Sequence, residues 1–325
     1  MNGGIGVTSR RGFLSWSLGT RFKGSVCGVI LLALAGCTAP PSDSPADDRI
    51  PVFAGIAPVA YLVEQIGGPH VKVDVLVQPG KDPHTFEPDP QQIRALSKAA
   101  IFFEIGMPFE RALLEKVQEG NPRLKVVDIA QGMQKRVLDT PCSEHSADHD
   151  EHPGSETGEP DPHVWLSPPL LKTQAQNIAK ALGQADPNHQ TDYQRNLNDL
   201  LARLDALHLR IQKMLAPYRG RTFYVFHPGF GYFADAYGLK EEAVEAGGRE
   251  PPPMQLRELI QEAKRDRVRT IFVQPQSPAR SAQVVADAIG GKVVTINGLG
   301  HDILEDMGDI ATKIEAAMKE GQNGN

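Results

Sequence analysis

Apolar and polar positions along this chain follow two rhythms, short apolar runs and longer stretches in which apolar residues recur at steps of three and four. Residues 51–55, 71–77, 100–105 and 125–129 read as strands, with helical patterns near 57–67, 90–98 and 108–118. Strands that alternate with helices predict βα units and a mostly parallel sheet. A second set starts at 222–226 and continues at 270–274 and 292–296, separated by helical stretches near 229–237, 255–266 and 279–289 and closed by one near 303–319. The expected class is α/β, two βα lobes with mostly parallel sheets joined by one long helix.

That helix comes from the segment between the two sets. Asp186-Pro187 supplies a cap and a proline at the first helical position, and Pro217 with Gly220 supplies the stop. Tyr193, Leu197, Leu200, Leu204, Leu207, Ile211 and Met214 then form one apolar stripe along the whole run. At about 1.5 Å per residue such a helix is roughly 40 Å long, enough to traverse both lobes. A coiled-coil dimer seam is the rival reading of the stripe. An isolated stripe between α/β lobes favours packing within the chain, and a monomer is expected.

The N-terminus changes the picture from a cytosolic to an exported protein. Residues 1–36 carry Arg10, Arg11, Arg21 and Lys23 but no acid, followed by an apolar run too short to span a bilayer as a mature helix. Leu34-Ala35-Gly36-Cys37 resembles a bacterial lipobox, which makes Cys37 the expected lipid-bearing first residue. Ser9-Arg10-Arg11-Gly12-Phe13-Leu14 also resembles a twin-arginine signal, so the export route stays open. The expected organisation is a signal peptide at 1–36, a Pro- and Ser-rich tether at 37–50, an N-terminal lobe at 51–185, the linking helix at 186–216 and a C-terminal lobe at 217–325. The location is extracytoplasmic, on the periplasmic or cell-surface side.

Removing residues 1–36 takes away four cations and no acids, so the formal charge falls from −6 to −10. An acidic balance argues against nucleic acid as a partner and suits cation capture. Of three cysteines, Cys27 and Cys37 belong to the signal and lipobox, which leaves Cys142 alone and no disulfide within the mature fold. Residues 141–160 contain Cys142, His145, His149 and His152 among many acids and almost nothing apolar, and they read as an acidic, histidine-rich loop.

Three other histidines stand beside proline in short motifs: Asp82-Pro83-His84-Thr85-Phe86-Glu87-Pro88, Asp161-Pro162-His163-Val164-Trp165 and Phe226-His227-Pro228-Gly229. His84 and His227 are each expected to follow a strand, and open parallel sheets bind ligands at the carboxyl ends of their strands. Neutral imidazole is a preferred zinc donor, and three imidazoles with one oxygen donor make a tetrahedral site. Ligands so distant in sequence need a site assembled by folding, at the boundary between lobes.

These motifs, with Leu166 after Trp165, Phe230-Gly231-Tyr232-Phe233 after Gly229, and Gln274-Pro275-Gln276, resemble the metal-binding receptors of ABC importers, a family with two α/β lobes on one backbone helix. The resemblance covers nearly the whole mature chain. It implies that His84, His163 and His227 bind Zn(II) and that the cargo passes to an ABC permease in the membrane. Members that resemble manganese receptors carry a carboxylate where this chain has His227, and nitrogen there favours zinc over harder ions. Leu299-Gly300-His301-Asp302 is similar to a family segment that ends in aspartate, which makes Asp302 the expected fourth ligand, with His301 or water as alternatives. The histidine-rich loop, with His145, His149 and His152, matches an auxiliary metal-capturing feature of the family's zinc receptors.

Three alternatives stand beside this reading, one within the same family and two from other classes. A manganese or iron receptor of the same family differs only in cargo, and a surface adhesin would use the same fold. A zinc hydrolase would need an open metal position and a nearby general base, and the chain has no His-Glu-x-x-His motif. No enzyme activity is therefore expected. Zinc binding itself is expected to fall as pH drops through about 6.5, where free imidazole protonates.

Overall fold

The computed structural model describes residues 48–138, 160–245, 249, 251–277 and 280–323. The signal peptide, Cys37, most of the tether, Cys142, His145, His149 and His152 lie outside the described residues. Among the described residues no helix is long and apolar enough to cross a membrane.

The first sheet is built from β1 (Ile50–Ala54), β2 (Val71–Val75), β3 (Ile101–Glu104) and β4 (Lys125–Asp128), in the order β2-β1-β3-β4 with every pairing parallel. Its crossovers are α1 (Ala57–Gly67), α2 (Pro90–Leu96) and α3 (Pro108–Gly120). The chain then runs through α4 (Pro168–Ala185) and α5 (Gln190–Leu215). The second sheet repeats the plan with β5 (Thr222–Val225), β6 (Lys240–Ala243), β7 (Thr270–Val273) and β8 (Lys292–Thr295), again all parallel, in the order β6-β5-β7-β8. Helices α6 (Gly231–Tyr237), α7 (Pro253–Arg265) and α8 (Arg280–Ala288) connect these strands, and α9 (Ile303–Asn323) closes the chain. In each sheet the chain reverses its lateral direction after the second strand and crosses to the other side of the first. Loops therefore open outward at the carboxyl ends between β1 and β3 and between β5 and β7, the place where such sheets bind ligands.

The long helix is real and ends in tighter turns: α5 continues the helical turn Pro187–His189 and runs into another at Ala216–Tyr218. Its buried stripe is Tyr193, Leu197, Leu200, Leu204, Leu207, Ile211 and Leu215. Met214, expected in the stripe, is partly buried at its margin, and Leu215 takes its place. The stripe packs against α1 and α4 of the first lobe and α9 of the second, so it is consumed within the chain. One apolar core runs from Val52 through the α5 stripe to Met318. A second, smaller core lies beneath the other face of the second sheet, where Tyr224, Ile271 and Val273 meet Leu259, Ala263 and Val285. The alternation is visible on β5, where Phe223 and Val225 join the large core and Tyr224 the small one, as a sheet covered on both faces requires.

Two elements were not expected. Helix α4 buries Leu171, Ala175, Ile178 and Leu182 at steps of four, three and four, a clear amphipathic signal just after the His163 motif. Strand β6 reads Lys-Glu-Glu-Ala, an edge strand whose polar composition hides it.

Candidate metal centre

His84 stands in the loop that leaves β2. Asp82 Oδ1 accepts the His84 backbone N–H at 2.9 Å, Gln92 Nε2 donates to the Leu76 carbonyl, and Phe86 packs edge-on against Phe109. His163 lies before α4 at the start of a short helical turn, Val164–Leu166. Asp161 Oδ1 accepts both the backbone N–H of His163 (2.9 Å) and its ring Nδ1–H (2.7 Å). The residue is 4% exposed and Asp161 3%. His227 follows β5 by two residues. Its Nδ1 faces Glu245 Oε1 at 2.8 Å, and its carbonyl accepts from Gln274 Nε2.

The turn beyond His227 is held by a buried carboxylate, because Glu241 Oε1 accepts the backbone N–H of Gly229 (3.0 Å) and Phe230 (2.7 Å). Burial pushes the Glu241 carboxyl up to about 7, while those two N–H donors pull it back. Gly229 lets the turn approach the His163 ring closely: a Cβ there would lie 3.3 Å from Cδ2 of His163.

The three imidazoles meet through their Nε2 atoms. His84 Nε2 is 3.1 Å and His227 Nε2 3.3 Å from His163 Nε2, and the candidate ligand atoms all lie within 4.8 Å of one another. Ring centroids are 4.7–5.2 Å apart. A tetrahedral zinc with Zn–N of about 2.0–2.1 Å has donor atoms about 3.3–3.4 Å apart, so the cluster is close to the size zinc needs. Burial, followed by the neighbouring imidazoles His163 and His227, lowers His84 from 6.5 to about 3. His163 is lowered too, by burial first, against the pull of Asp161. A carboxylate only accepts, so Asp161 and Glu245 hold the ring proton on Nδ1 and leave the lone pair on Nε2. Lone pairs that face each other at this distance suit a cation between them.

The expected fourth ligand is elsewhere. Asp302 Oδ1 caps α9 by accepting the N–H groups of Leu304 and Glu305, both at 3.1 Å, and Tyr61 lies beside its carboxylate. His301 pairs with Glu64 at 2.7 Å. Among the described residues the cluster holds three imidazoles and no carboxylate. An aspartate just before an amphipathic run is placed by local geometry to cap the helix. Glu241 and Glu245 were not recognised as supports because they reach the His227 turn from β6 and its end, whereas Asp161 holds His163 from two residues away within one motif.

The lobes are stitched together around this cluster. Tyr232 of α6 accepts the Arg136 backbone N–H and donates to the Asp161 carbonyl, and Arg136 pairs with Asp235. Trp165 Nε1–H donates across to the Gly298 carbonyl at 2.7 Å.

Two matching α/β lobes on one helix, with three imidazoles converging between them, define a metal-binding receptor. Residues 52–317 match the model of the family described as the zinc-uptake complex component A, periplasmic, and the chain belongs to that family. It is a family of substrate-binding receptors for transport and not of enzymes, whose members bind metal ions and deliver them to an ABC permease. A putative metal-binding protein of Treponema pallidum is 32% identical over 84% of this chain and 86% of its own length. The manganese-binding lipoprotein MntA of Bacillus subtilis is 25% identical over 86% of this chain and 89% of its own. A ZnuA deletion mutant with zinc bound superposes with a TM-score of 0.74 at 37% identity, covering 83% of this chain and 98% of that one.

Proposed function

We propose that this protein is an extracytoplasmic Zn(II) receptor that captures one ion with His84, His163 and His227 and passes it to an ABC permease. The observation that carries the reading is the convergence of three Nε2 atoms, two of them oriented by carboxylates on Nδ1, with no carboxylate in the cluster itself. Three nitrogen donors suit zinc, whereas a hard ion such as Mn²⁺ prefers oxygen. The fourth position goes to a water molecule in this reading, because Asp302 and His301 are engaged elsewhere. Cys37 carries the lipid, 37–50 tethers a monomer, and His145, His149 and His152 form an auxiliary, weaker capture loop.

Metal analysis of the protein purified without added metal, followed by competitive titration with Zn²⁺ and Mn²⁺, tests the assignment. One tight zinc per chain and poor competition by manganese are expected. Stoichiometric manganese in place of zinc would refute it. His227→Glu exchanges a nitrogen for a hard oxygen donor and should move the Zn²⁺/Mn²⁺ preference toward manganese.

A further inference from the structure

The three imidazoles are held very unequally. His163 is buried, its ring and its backbone N–H both engage Asp161, and Trp165 two residues on is anchored across the lobes. His227 is oriented by Glu245, and its backbone lies between Phe226, whose N–H donates to the Phe272 carbonyl, and the turn that Glu241 holds. His84 has no carboxylate on its ring among the described residues. Among the described residues its ring nitrogens hydrogen-bond only with His163, and its backbone N–H is tied to Asp82 within the same loop. That loop runs from 76 to 89 without a strand or helix, and Gln78, Gly80, Lys81, Thr85 and Glu87 along it are exposed.

A receptor must also let go, and a multidentate ligand set dissociates one bond at a time. The bond that breaks first is the one whose donor moves at least cost. A ring with a carboxylate on Nδ1 is a more basic donor and is fixed in orientation, and loss of such a partner weakens metal binding by about 10–100-fold. A ring on an irregular, exposed loop has neither advantage.

Resting on the zinc-receptor reading, we propose that His84 is the exit ligand: zinc is released by breaking its bond to His84 first, while His163 and His227, kept in place by the positioning residues Asp161 and Glu245, hold the ion until the permease takes it. The loop carrying His84 is then the moving part of the site, and the lobes need not separate for release to begin.

The test is zinc release from the loaded full-length protein into excess EDTA, followed by stopped flow, together with equilibrium titration and the melting midpoint of the metal-free protein. His84→Gln, His163→Gln and His227→Gln keep most of the ring volume. The loss of affinity in His84→Gln is expected to be at least about tenfold smaller than in either of the others, consistent with a less basic, less fixed donor. Pro83→Ala loosens the His84 loop and should speed release about two- to fivefold, whereas Pro228→Ala beside His227 should not. Asp161→Asn and Glu245→Gln should each speed release by about 10–100-fold and alter the visible spectrum of the Co²⁺-loaded protein, a coordination signal that mere loss of stability does not produce. Equal losses from the three histidine substitutions, or faster release from Pro228→Ala than from Pro83→Ala, would overturn the order of release. Wild-type spectra and rates in Asp161→Asn and Glu245→Gln would remove their positioning role. Failure of the wild-type protein to bind zinc would instead defeat the receptor reading itself.

Discussion

Replacing Trp165 with Phe removes one N–H from a contact that joins the lobes beside the metal cluster. The indole is 2% exposed, donates to the Gly298 carbonyl at 2.7 Å, and its ring lies 5.1 Å from that of His163. Gly298 is itself buried, and a Cβ on it would come within 2.9 Å of Leu166 Cδ2, so the two loops have no slack through which water could replace the donor. A buried carbonyl left without a donor costs about 1–3 kcal/mol. The smaller phenyl ring leaves a void that adds about 1 kcal/mol at roughly 24 cal/mol per Å³. The sum is roughly 3 kcal/mol, which at about 2.1 cal/mol/K of unfolding entropy per residue lowers the melting midpoint of a chain this size by about 5–6 °C. Calorimetry of the metal-free Trp165→Phe protein reads that loss, and chelator competition should show weaker zinc binding because the turn bearing His163 is no longer pinned. A fall under about 2 °C with unchanged zinc affinity would show that this hydrogen bond does not hold the lobes.

Leu204→Ala empties the middle of the α5 stripe, where Leu204 is fully buried, and should cost about 2.7–5 kcal/mol while calorimetry still shows one cooperative transition, because the helix shares a core with both lobes; two separated transitions would contradict that shared core. Burial pushes the Glu110 carboxyl from 4.5 to about 8, although the N–H groups of Ile105, Gly106 and Met107 all donate to it. Its folded pKa is raised, so the stability it contributes is complete below about 4.5 and is lost as pH rises through about 8, and Glu110→Gln should flatten the melting midpoint over that window; parallel curves for the two proteins would refute this. His84 moves in the opposite sense: its folded pKa is depressed from 6.5 to about 3, so the metal-free fold loses stability as pH falls through that interval. At pH 5 a free imidazole would bind zinc about 30-fold more weakly than at high pH, but His84 is still neutral there, which moves its share of the acid sensitivity below the range near 6.5 expected from sequence. Chelator competition from pH 5 to 7, corrected for the chelator's own protons, measures the slope, and a titration matching three free imidazoles would sink the argument.

The three histidines that the structure brings together were legible for a reason that does not extend to their supports. His84, His163 and His227 each sit in a turn beside proline, so local signals of strand end, turn and donor type coincide at one position. Long apolar runs such as Ile101–Glu104 and the α5 stripe were legible because periodicity is a local property too. Strand β6 was missed because an edge strand needs few apolar residues, and with it went the register that sets Glu241 and Glu245 beside the His227 turn. Asp302 caps α9 in the structure, a role the sequence reading did not give it although the helix that follows was expected. What a short motif supplies is the donor atom. What orients that atom is local for His163, whose Asp161 lies two residues before it, but for His227 it is Glu245, whose place is set by which strand lies next to which. The unequal support of the three imidazoles is therefore not written in the motifs, since Asp82 and Asp161 stand at the same spacing before their histidines and of the two only Asp161 engages the ring.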